Sequence, residues 1–160
     1  MIKQSIIVLA VLLLTAVAVP GHADDSKSAN GEFTANVDFT TLSLTPVGVN
    51  CMLQVDGFLV FTGTLEGVAT GTTKALVLAP CEDVAINPPG TFKDVFRSKL
   101  EFLGTVSGEP ATADLTYQGV TKVGGQIKAK FLLRNGLKGM LKVDAIVAVG
   151  GSYQGIVKFD

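Results

Sequence analysis

Few residues of this chain are of the types that act as nucleophiles, general bases or metal ligands in enzymes. The chain contains a single His, His22, and two cysteines, Cys51 and Cys81. His22 lies in a segment that we expect to be removed on export. The remaining chain then has no histidine, which a Ser-His-Asp or Cys-His mechanism and the histidine-containing zinc sites of hydrolases all require. The sequence therefore excludes these enzyme classes.

The two cysteines are expected to pair. An even number of cysteines in an exported protein indicates a disulfide. A bond between Cys51 and Cys81 would close a loop of about 30 residues and stabilise the fold by roughly 3–4 kcal/mol on the chain-entropy model. The alternative is a free nucleophilic Cys, which would lack a His partner. Glu82 and Asp83 follow Cys81 but lack the alternating oxygen ligands of a calcium loop, so we expect no metal and no cofactor.

Residues 1–23 show the three parts of a secretory signal peptide. Lys3 supplies a positive start, residues 6–19 are almost wholly apolar, and residues 21–23 end in a small-residue cleavage site. The alternative, an uncleaved membrane anchor, is disfavoured because the apolar run is short. No later segment is apolar enough to span a bilayer. We therefore predict a secreted or periplasmic protein with one domain, residues 24–160, and no membrane span after signal removal.

Composition places the rest of the chain among ordinary globular domains. The 160 residues are 48% hydrophobic and 17% charged, with a formal net charge of −1. Intrinsic disorder requires low hydrophobicity and high net charge, which this chain lacks. Nucleic-acid binding requires a basic face, and the near-neutral charge balance provides none. We therefore expect no nucleic-acid partner.

Alternating apolar residues and glycine-rich turns indicate an all-β fold. From residue 112 onward, turns at 124–125, 135–136 and 150–151 divide the chain into four alternating runs, which predicts an antiparallel meander. Odd positions of this part should face the core. Further strands are expected near 31–40, 47–55, 57–69 and 72–79, with one long loop at 80–93. About eight sequential strands with one apolar face predict a closed antiparallel up-and-down β-barrel with a small apolar interior.

The hydrophobic pattern also suggests a pairing register. A three-residue loop at 134–136, with Gly136 left-handed, would pair Leu133 with Leu137 and Phe131 with Gly139. A similar loop at 124–126 would pair Tyr117 with Leu133. A third loop, at 150–152, would place Val149 beside Tyr153.

The closing segment, residues 147–159, resembles the last hairpin of the allene oxide cyclase and dirigent-like barrels. The preceding Phe-x-Gly-Thr strand and the meander are compatible with this resemblance, which covers about residues 95–160. It implies an eight-stranded antiparallel barrel, commonly trimeric, around an apolar cavity. None of that family's catalytic acidic residues matches a position here, so its cyclase activity is not carried over.

The predicted inner face of residues 113–159 contains no Asp, Glu, Lys or Arg. Ordinary proton-transfer catalysis needs a titratable group within reach of the substrate, so an acid would have to come from the N-terminal strands. Glu66 is expected to point outward. If inward glycines open a cavity, its candidate residues are Tyr117, Phe131, Gly139, Tyr153 and Gly155. The alternative is that these glycines accommodate phenylalanines in a filled core.

Two functions follow from this interior. The first is a non-enzymatic secreted barrel that binds a small apolar ligand or has a structural envelope role. The second is a cofactor-free cyclase or isomerase. A cavity that holds a buried carboxylate beside Tyr117 or Tyr153 would favour the enzyme.

Outward-facing aliphatic residues suggest a partner surface and hence a homo-oligomer, although scattered exposed apolar residues are normal. These residues are Leu132, Met140, Ile146 and Ile156.

Overall fold

A computed structural model describes residues 25–160 of the chain. The predicted signal peptide, residues 1–23, lies outside the described residues. The described part forms eight strands and one six-residue helix. The elements are β1 Lys27–Val47, β2 Asn50–Gly63, β3 Leu65–Val77, α1 Cys81–Ile86, β4 Asp94–Val106, β5 Glu109–Thr121, β6 Gln126–Arg134, β7 Leu137–Ile146 and β8 Gly150–Phe159.

The eight strands close into a single antiparallel barrel. Each strand pairs with the next along the chain, and β8 pairs with β1 to complete the ring. Every strand therefore has a neighbour on both sides, which is how all-β proteins avoid edge-to-edge association, although β1 beyond Thr34 is paired in the ladder only with β2. The predicted fold class is confirmed. Among residues 25–160, no helix has the length and apolar character needed to cross a membrane.

The predicted inward and outward faces of the C-terminal meander are confirmed, but the predicted pairings are wrong. Within strands β5 to β8, the buried side chains stand at odd positions. Phe131, however, pairs with Leu141 and Tyr117, and Gly139 pairs with Leu133 and Val157. Each of the first two hairpins is thus shifted by two residues from the predicted register. A shift of two preserves the faces, because side chains alternate with a period of two.

The last hairpin differs more from its prediction. Its turn lies at residues 147–149, where Ala148 has a φ of 58°, and Gly150 already belongs to β8. Tyr153 therefore pairs with Val143 rather than with Val149. The glycines at 150–151 do not form the turn. They lie within the ladder, where Gly150 pairs with Ile146 and with Thr34.

The N-terminal strands are longer and more continuous than predicted. The predicted strand 31–40 is part of β1, whose pairing with β2 is interrupted between Asp38 and Ser43. The predicted strand 57–69 is in fact two strands, because the chain turns at Thr64, whose amide donates a hydrogen bond to the Asn30 carbonyl. The long irregular segment is present at 80–93 but contains α1.

The barrel interior has two different halves. One end is filled by large side chains, whereas the other end encloses a cavity. The filled half rests on contacts between aromatic rings, such as those of Phe61 with Phe102 and Phe131, whose centroids lie 5.7 and 5.3 Å apart. Its fully buried side chains include Phe61, Leu65, Phe102, Val106, Phe131, Leu137, Leu141 and Val157. Both interpretations of the interior, filled and open, thus apply to the same barrel at opposite ends.

Candidate functional site

The open half of the barrel contains a cavity of about 340 Å³. Its wall is formed by residues from the middle of β1 and β2, the end of β3, the start of β4 and the end of β5. Most of these are apolar, and several are small, such as Ala35 and Ala75. Two aromatic residues at the rim, Phe39 and Phe58, are 53% and 42% exposed. An apolar molecule would thus meet apolar side chains from the rim inward.

Aromatic rings form the floor of the cavity. The ring of Tyr117 packs on Phe96 with a centroid distance of 4.8 Å and on Phe131 with a distance of 4.7 Å. Phe33 contacts both Tyr117 and Phe131 edge-on, at 5.8 and 5.1 Å. Phe33, Phe96 and Tyr117 line the cavity. This aromatic layer separates the cavity from the filled half of the barrel, so a bound molecule would extend no deeper than these rings.

A covalently attached segment covers one side of the mouth. Residues 80–93 contribute apolar side chains to the cavity wall, including Val84 and Phe92. Cys81, at the start of α1, forms a disulfide with Cys51 at the start of β2, with a Cα–Cα distance of 4.8 Å. The amide of Gly124 also donates a 2.9 Å hydrogen bond to the Gly90 carbonyl. We call residues 80–93 the cap, because it is held at both ends over the cavity wall.

A few polar groups interrupt the apolar wall, and they cluster on β3, β4 and β5. The hydroxyls of Thr73 and Ser98 are hydrogen bonded at 2.7 Å. Asp94, at the start of β4, is paired across the ladder with Thr121 at the end of β5. Phe96 and Ser98, two and four positions after Asp94, are buried, so the alternation of the strand directs Asp94 inward. All four polar residues line the cavity.

Burial changes the protonation of the acidic groups in this wall. It raises the pKa of Asp94 to about 6, and hydrogen bonds from the side chain and backbone of Thr121 offset part of the effect. Burial also raises the pKa of the Tyr117 hydroxyl, and the nearby Asp94 raises it further. Asp94 Oδ1 and Tyr117 Oη are buried without a hydrogen-bond partner among the described residues. Buried polar atoms without partners are rare in proteins and call for a specific explanation.

The structure brings only some of the sequence-predicted site residues to the cavity. Tyr117 lines it, and Phe131 packs directly beneath its floor. Tyr153 lies deeper, in the filled half, where its hydroxyl bonds to the backbone of Thr62 and Leu65.

Gly139 and Gly155 lie on strands β7 and β8, outside the cavity wall. A Cβ added at Gly139 would lie 2.6 Å from the Ile156 carbonyl oxygen, so this glycine permits two strands to approach closely. Both glycines border an open groove on the outer wall between β7, β8 and β1. The neighbouring aliphatic residues Met140 and Ile156 are exposed and paired across the ladder.

Sequence reasoning missed Asp94, although a signal for it was present. The apolar residues Phe96, Leu100 and Phe102 lie at positions of one parity, and the same alternation continued toward the N-terminus reaches Asp94. The residue was overlooked because it directly follows the segment predicted to be an irregular loop. Nowhere in the described part of the chain do three or more His, Cys, Asp or Glu side chains come together in a way that could hold a metal ion.

Comparison with known proteins identifies a fold neighbour. No protein-family profile matches this chain, and no curated protein matches it. Among solved structures, the barrel is similar to a protein of unknown function from the DUF3224 family of Shewanella oneidensis MR-1. The TM-score is 0.59 at 15% sequence identity, over 84% of this chain and 98% of that one. At this identity the likeness extends to the fold alone.

Proposed function

We propose that this protein binds a small, mainly apolar molecule in the cavity at the open end of its barrel. The observation that carries the proposal is the cavity itself. Its volume of about 340 Å³ falls within the range of small-molecule sites, roughly 300–1,000 Å³. Like such sites, it combines an apolar wall with a few convergent polar groups. The cap and its disulfide support this role, because a pre-formed wall reduces the ordering cost of binding.

A dye titration with two matched variants tests this proposal. Prodan is a small uncharged dye whose emission shifts to the blue in apolar surroundings. Ala75 is a buried residue of β3 that lines the cavity, whereas Lys74, its neighbour, is exposed. Ala75→Phe should fill part of the cavity, and Lys74→Phe adds the same ring to the outside of the same strand. We expect saturable binding by the parent and by Lys74→Phe, and a loss of at least about tenfold in Ala75→Phe.

Two outcomes of this titration would contradict the proposal. Absence of saturable binding by the parent would leave a structural envelope role as the better account of the barrel. Equal binding by all three proteins would place the dye on the outer surface rather than in the cavity. Thermal melting of each variant shows whether a loss of binding reflects a blocked cavity or an unfolded chain.

A second candidate function is a cofactor-free isomerase or cyclase, and Asp94 is the observation that favours it. A carboxylate with a pKa of about 6 beside the Tyr117 hydroxyl supplies an acid–base pair inside an apolar cavity. Asp94 is half-buried, and its Oδ1 atom is fully buried, which supports the enzymatic candidate. The resemblance to allene oxide cyclase-like barrels implies a similar barrel but supplies no matching catalytic acid, so this candidate depends on Asp94.

The enzymatic candidate requires turnover that depends on Asp94. Native mass spectrometry of the protein purified from its host would identify small molecules that co-purify. Incubating such a molecule with the parent and with Asp94→Asn, followed by chromatography, would show whether an isomer forms only with the parent. Recovery of the unchanged molecule from both proteins would argue for binding alone.

Export and self-association complete the proposal. A disulfide between Cys51 and Cys81 is typical of oxidising compartments, which supports secretion or a periplasmic location. N-terminal sequencing of the exported protein should give a start after Ala23, and a start at Met1 would contradict the signal peptide. The homo-oligomer stays a prediction, to be checked by the native mass of the purified protein.

A further inference from the structure

We propose that the ligand of the cavity is a cation, namely a protonated amine with an apolar body, and that Asp94 is its charge partner. This inference rests on the proposed binding function and specifies its ligand class. Three features of the cavity wall support it: the charge of the wall, its aromatic floor and the buried Oδ1 atom of Asp94, which has no hydrogen-bond partner among the described residues.

The charge of the wall favours a cation over an anion. The titratable residues that line the cavity are Asp56, Asp94 and Tyr117, and no Lys, Arg or His is among the lining residues. Asp56 lies at the rim, where its carboxylate accepts a 2.6 Å hydrogen bond from the Thr72 hydroxyl. Asp94 lies inside, where the side chain and backbone of Thr121 form hydrogen bonds to its carboxylate. An anionic ligand would be repelled by Asp94 and would find no positive group within the wall.

The surroundings of Asp94 also suit a cation. Phe96 follows two positions after Asp94 on the same face of β4, and its ring packs on Tyr117. Ring faces attract cations, and the attraction increases when both groups are removed from water. The residue paired with Asp94 on β3 is Val77, and its partner on β5 is Thr121. The nearest basic residues along the chain, Lys93 and Lys122, are exposed and lie outside the cavity wall. Within the wall, a positive charge opposite Asp94 would therefore come from the ligand.

A neutral hydrogen-bond donor would satisfy Asp94 less well than an amine. A buried carboxylate is costly unless it is both paired and hydrogen bonded. With a pKa of about 6, Asp94 is mostly ionised at neutral pH. An alcohol would give it one hydrogen bond but leave the charge uncompensated. A protonated amine supplies both the hydrogen bond and the opposite charge. Its charge-assisted hydrogen bond to Asp94 is therefore stronger than the hydrogen bond of an alcohol.

The test compares three competitors that share one apolar body. Phenethylamine, phenethyl alcohol and phenylacetate each displace bound prodan only if they enter the cavity. At about pH 7.5 we expect the amine to compete at least about tenfold more strongly than the alcohol, and phenylacetate to compete least. In Asp94→Asn the preference for amine over alcohol should disappear, while prodan still binds. The control Glu101→Gln, at an exposed position of β4 outside the cavity wall, should keep the preference.

The pH dependence of the parent gives a measurement that needs no variant of Asp94. Phenethylamine stays protonated between about pH 5 and 7.5, so the group of the cavity that changes charge is Asp94. Lowering the pH through about 6 protonates Asp94, and the advantage of the amine over the alcohol should shrink. The affinity for the alcohol and for prodan should change little.

Three results would overturn the inference, and they are separate from failure of the proposed function. Equal competition by amine and alcohol in the parent would do so, as would an amine preference that survives Asp94→Asn. If Asp94→Asn does not fold, an amine preference unchanged between about pH 5 and 7.5 would have the same effect. In each of these cases prodan still binds the parent, so the binding function stands. Absence of prodan binding would instead overturn the binding function.

Discussion

The hydroxyl of Tyr153 in β8 accepts a 2.9 Å hydrogen bond from the backbone amide of Leu65, a residue 88 positions earlier in β3. The same hydroxyl donates a 2.9 Å bond to the Thr62 carbonyl. One side chain thus connects the last strand to the turn between β2 and β3 inside the filled half of the barrel. This arrangement makes Tyr153 a structural residue, in contrast to Tyr117 in the cavity wall.

The two tyrosines should therefore respond differently to loss of the hydroxyl. Tyr153→Phe leaves the Leu65 amide without its partner inside the core, which should lower the free energy of unfolding by about 1–3 kcal/mol. Tyr117→Phe removes a buried hydroxyl that has no partner among the described residues, so it should be neutral or stabilising. Urea denaturation of both variants measures the difference. A larger loss in Tyr117→Phe than in Tyr153→Phe would contradict this assignment.

The disulfide should stabilise both the barrel and its cap. Cys81 is the better site for removing it, because Cys51 is fully buried and any change there also disturbs the core. Cys81→Ala should lower the free energy of unfolding by about 2–4 kcal/mol. It should also speed hydrogen exchange in residues 80–93 more than in β7 or β8. Reaction of both thiols with a maleimide in unfolded, unreduced parent protein would show that the bond does not form.

Asp94 should make stability depend on pH in an unusual direction for an acid. Its pKa is about 6 in the folded protein against 3.8 in the unfolded chain, so the folded state binds the proton more tightly. Protonated Asp94 therefore stabilises the fold at low pH, and this contribution is lost as the pH rises from about 4 to about 7. Relative to Asp94→Asn, the parent should lose up to about 2 kcal/mol across that window, allowing for solvent screening. Parallel pH profiles for the two proteins would contradict the raised pKa.

Gly136 should tolerate no β-branched residue. Its φ is +112°, and an added Cβ would overlap the carbonyl oxygen of Thr112. Gly136→Val should cost about 1–3 kcal/mol in backbone strain alone, and the overlap adds to that cost. Arg134→Val, two residues earlier at an exposed strand position, is the control and should be nearly neutral. Equal midpoints of urea denaturation for Gly136→Val and the parent would show that the turn does not require glycine.

Which side chains of each strand point inward could be predicted from sequence, because the apolar residues that must be buried lie at alternate positions. Odd positions such as Phe131, Leu141 and Val157 are apolar, and a barrel with the opposite parity would expose them. The registers could not be predicted in the same way, because a shift by two residues leaves every face unchanged. The turns decide between such registers, and here Asn135 and Ala148 take positive φ values of 57° and 58°. Sequence reasoning assigned positive φ to glycine, which Gly136 confirms, but it did not anticipate the same conformation at Asn135 and Ala148.

The cavity was harder to predict than the barrel. One of the two sequence-based interpretations had inward glycines open it, yet a Cβ at Gly139 would lie 2.6 Å from the carbonyl oxygen of Ile156 on the neighbouring strand. The space comes instead from small wall residues such as Ala75 and from the cap, whose path over the mouth no local pattern encodes. Tyr117 could be predicted as a cavity residue because its hydroxyl is one of few polar groups on an otherwise apolar inner face. Asp94 required knowing where β4 begins, and strand ends are the part of a sequence that periodicity defines least well.

The division of the barrel into a filled end and a hollow end has a consequence for redesign. Since the aromatic layer beneath Tyr117 and the filled half below it are packed together, substitutions in the cavity wall above leave the contacts of the filled half in place. Wall residues can therefore be exchanged for others of different size or charge while the scaffold persists. The same chain offers an engineer a stable base on which new recognition chemistry can be built around the position of Asp94.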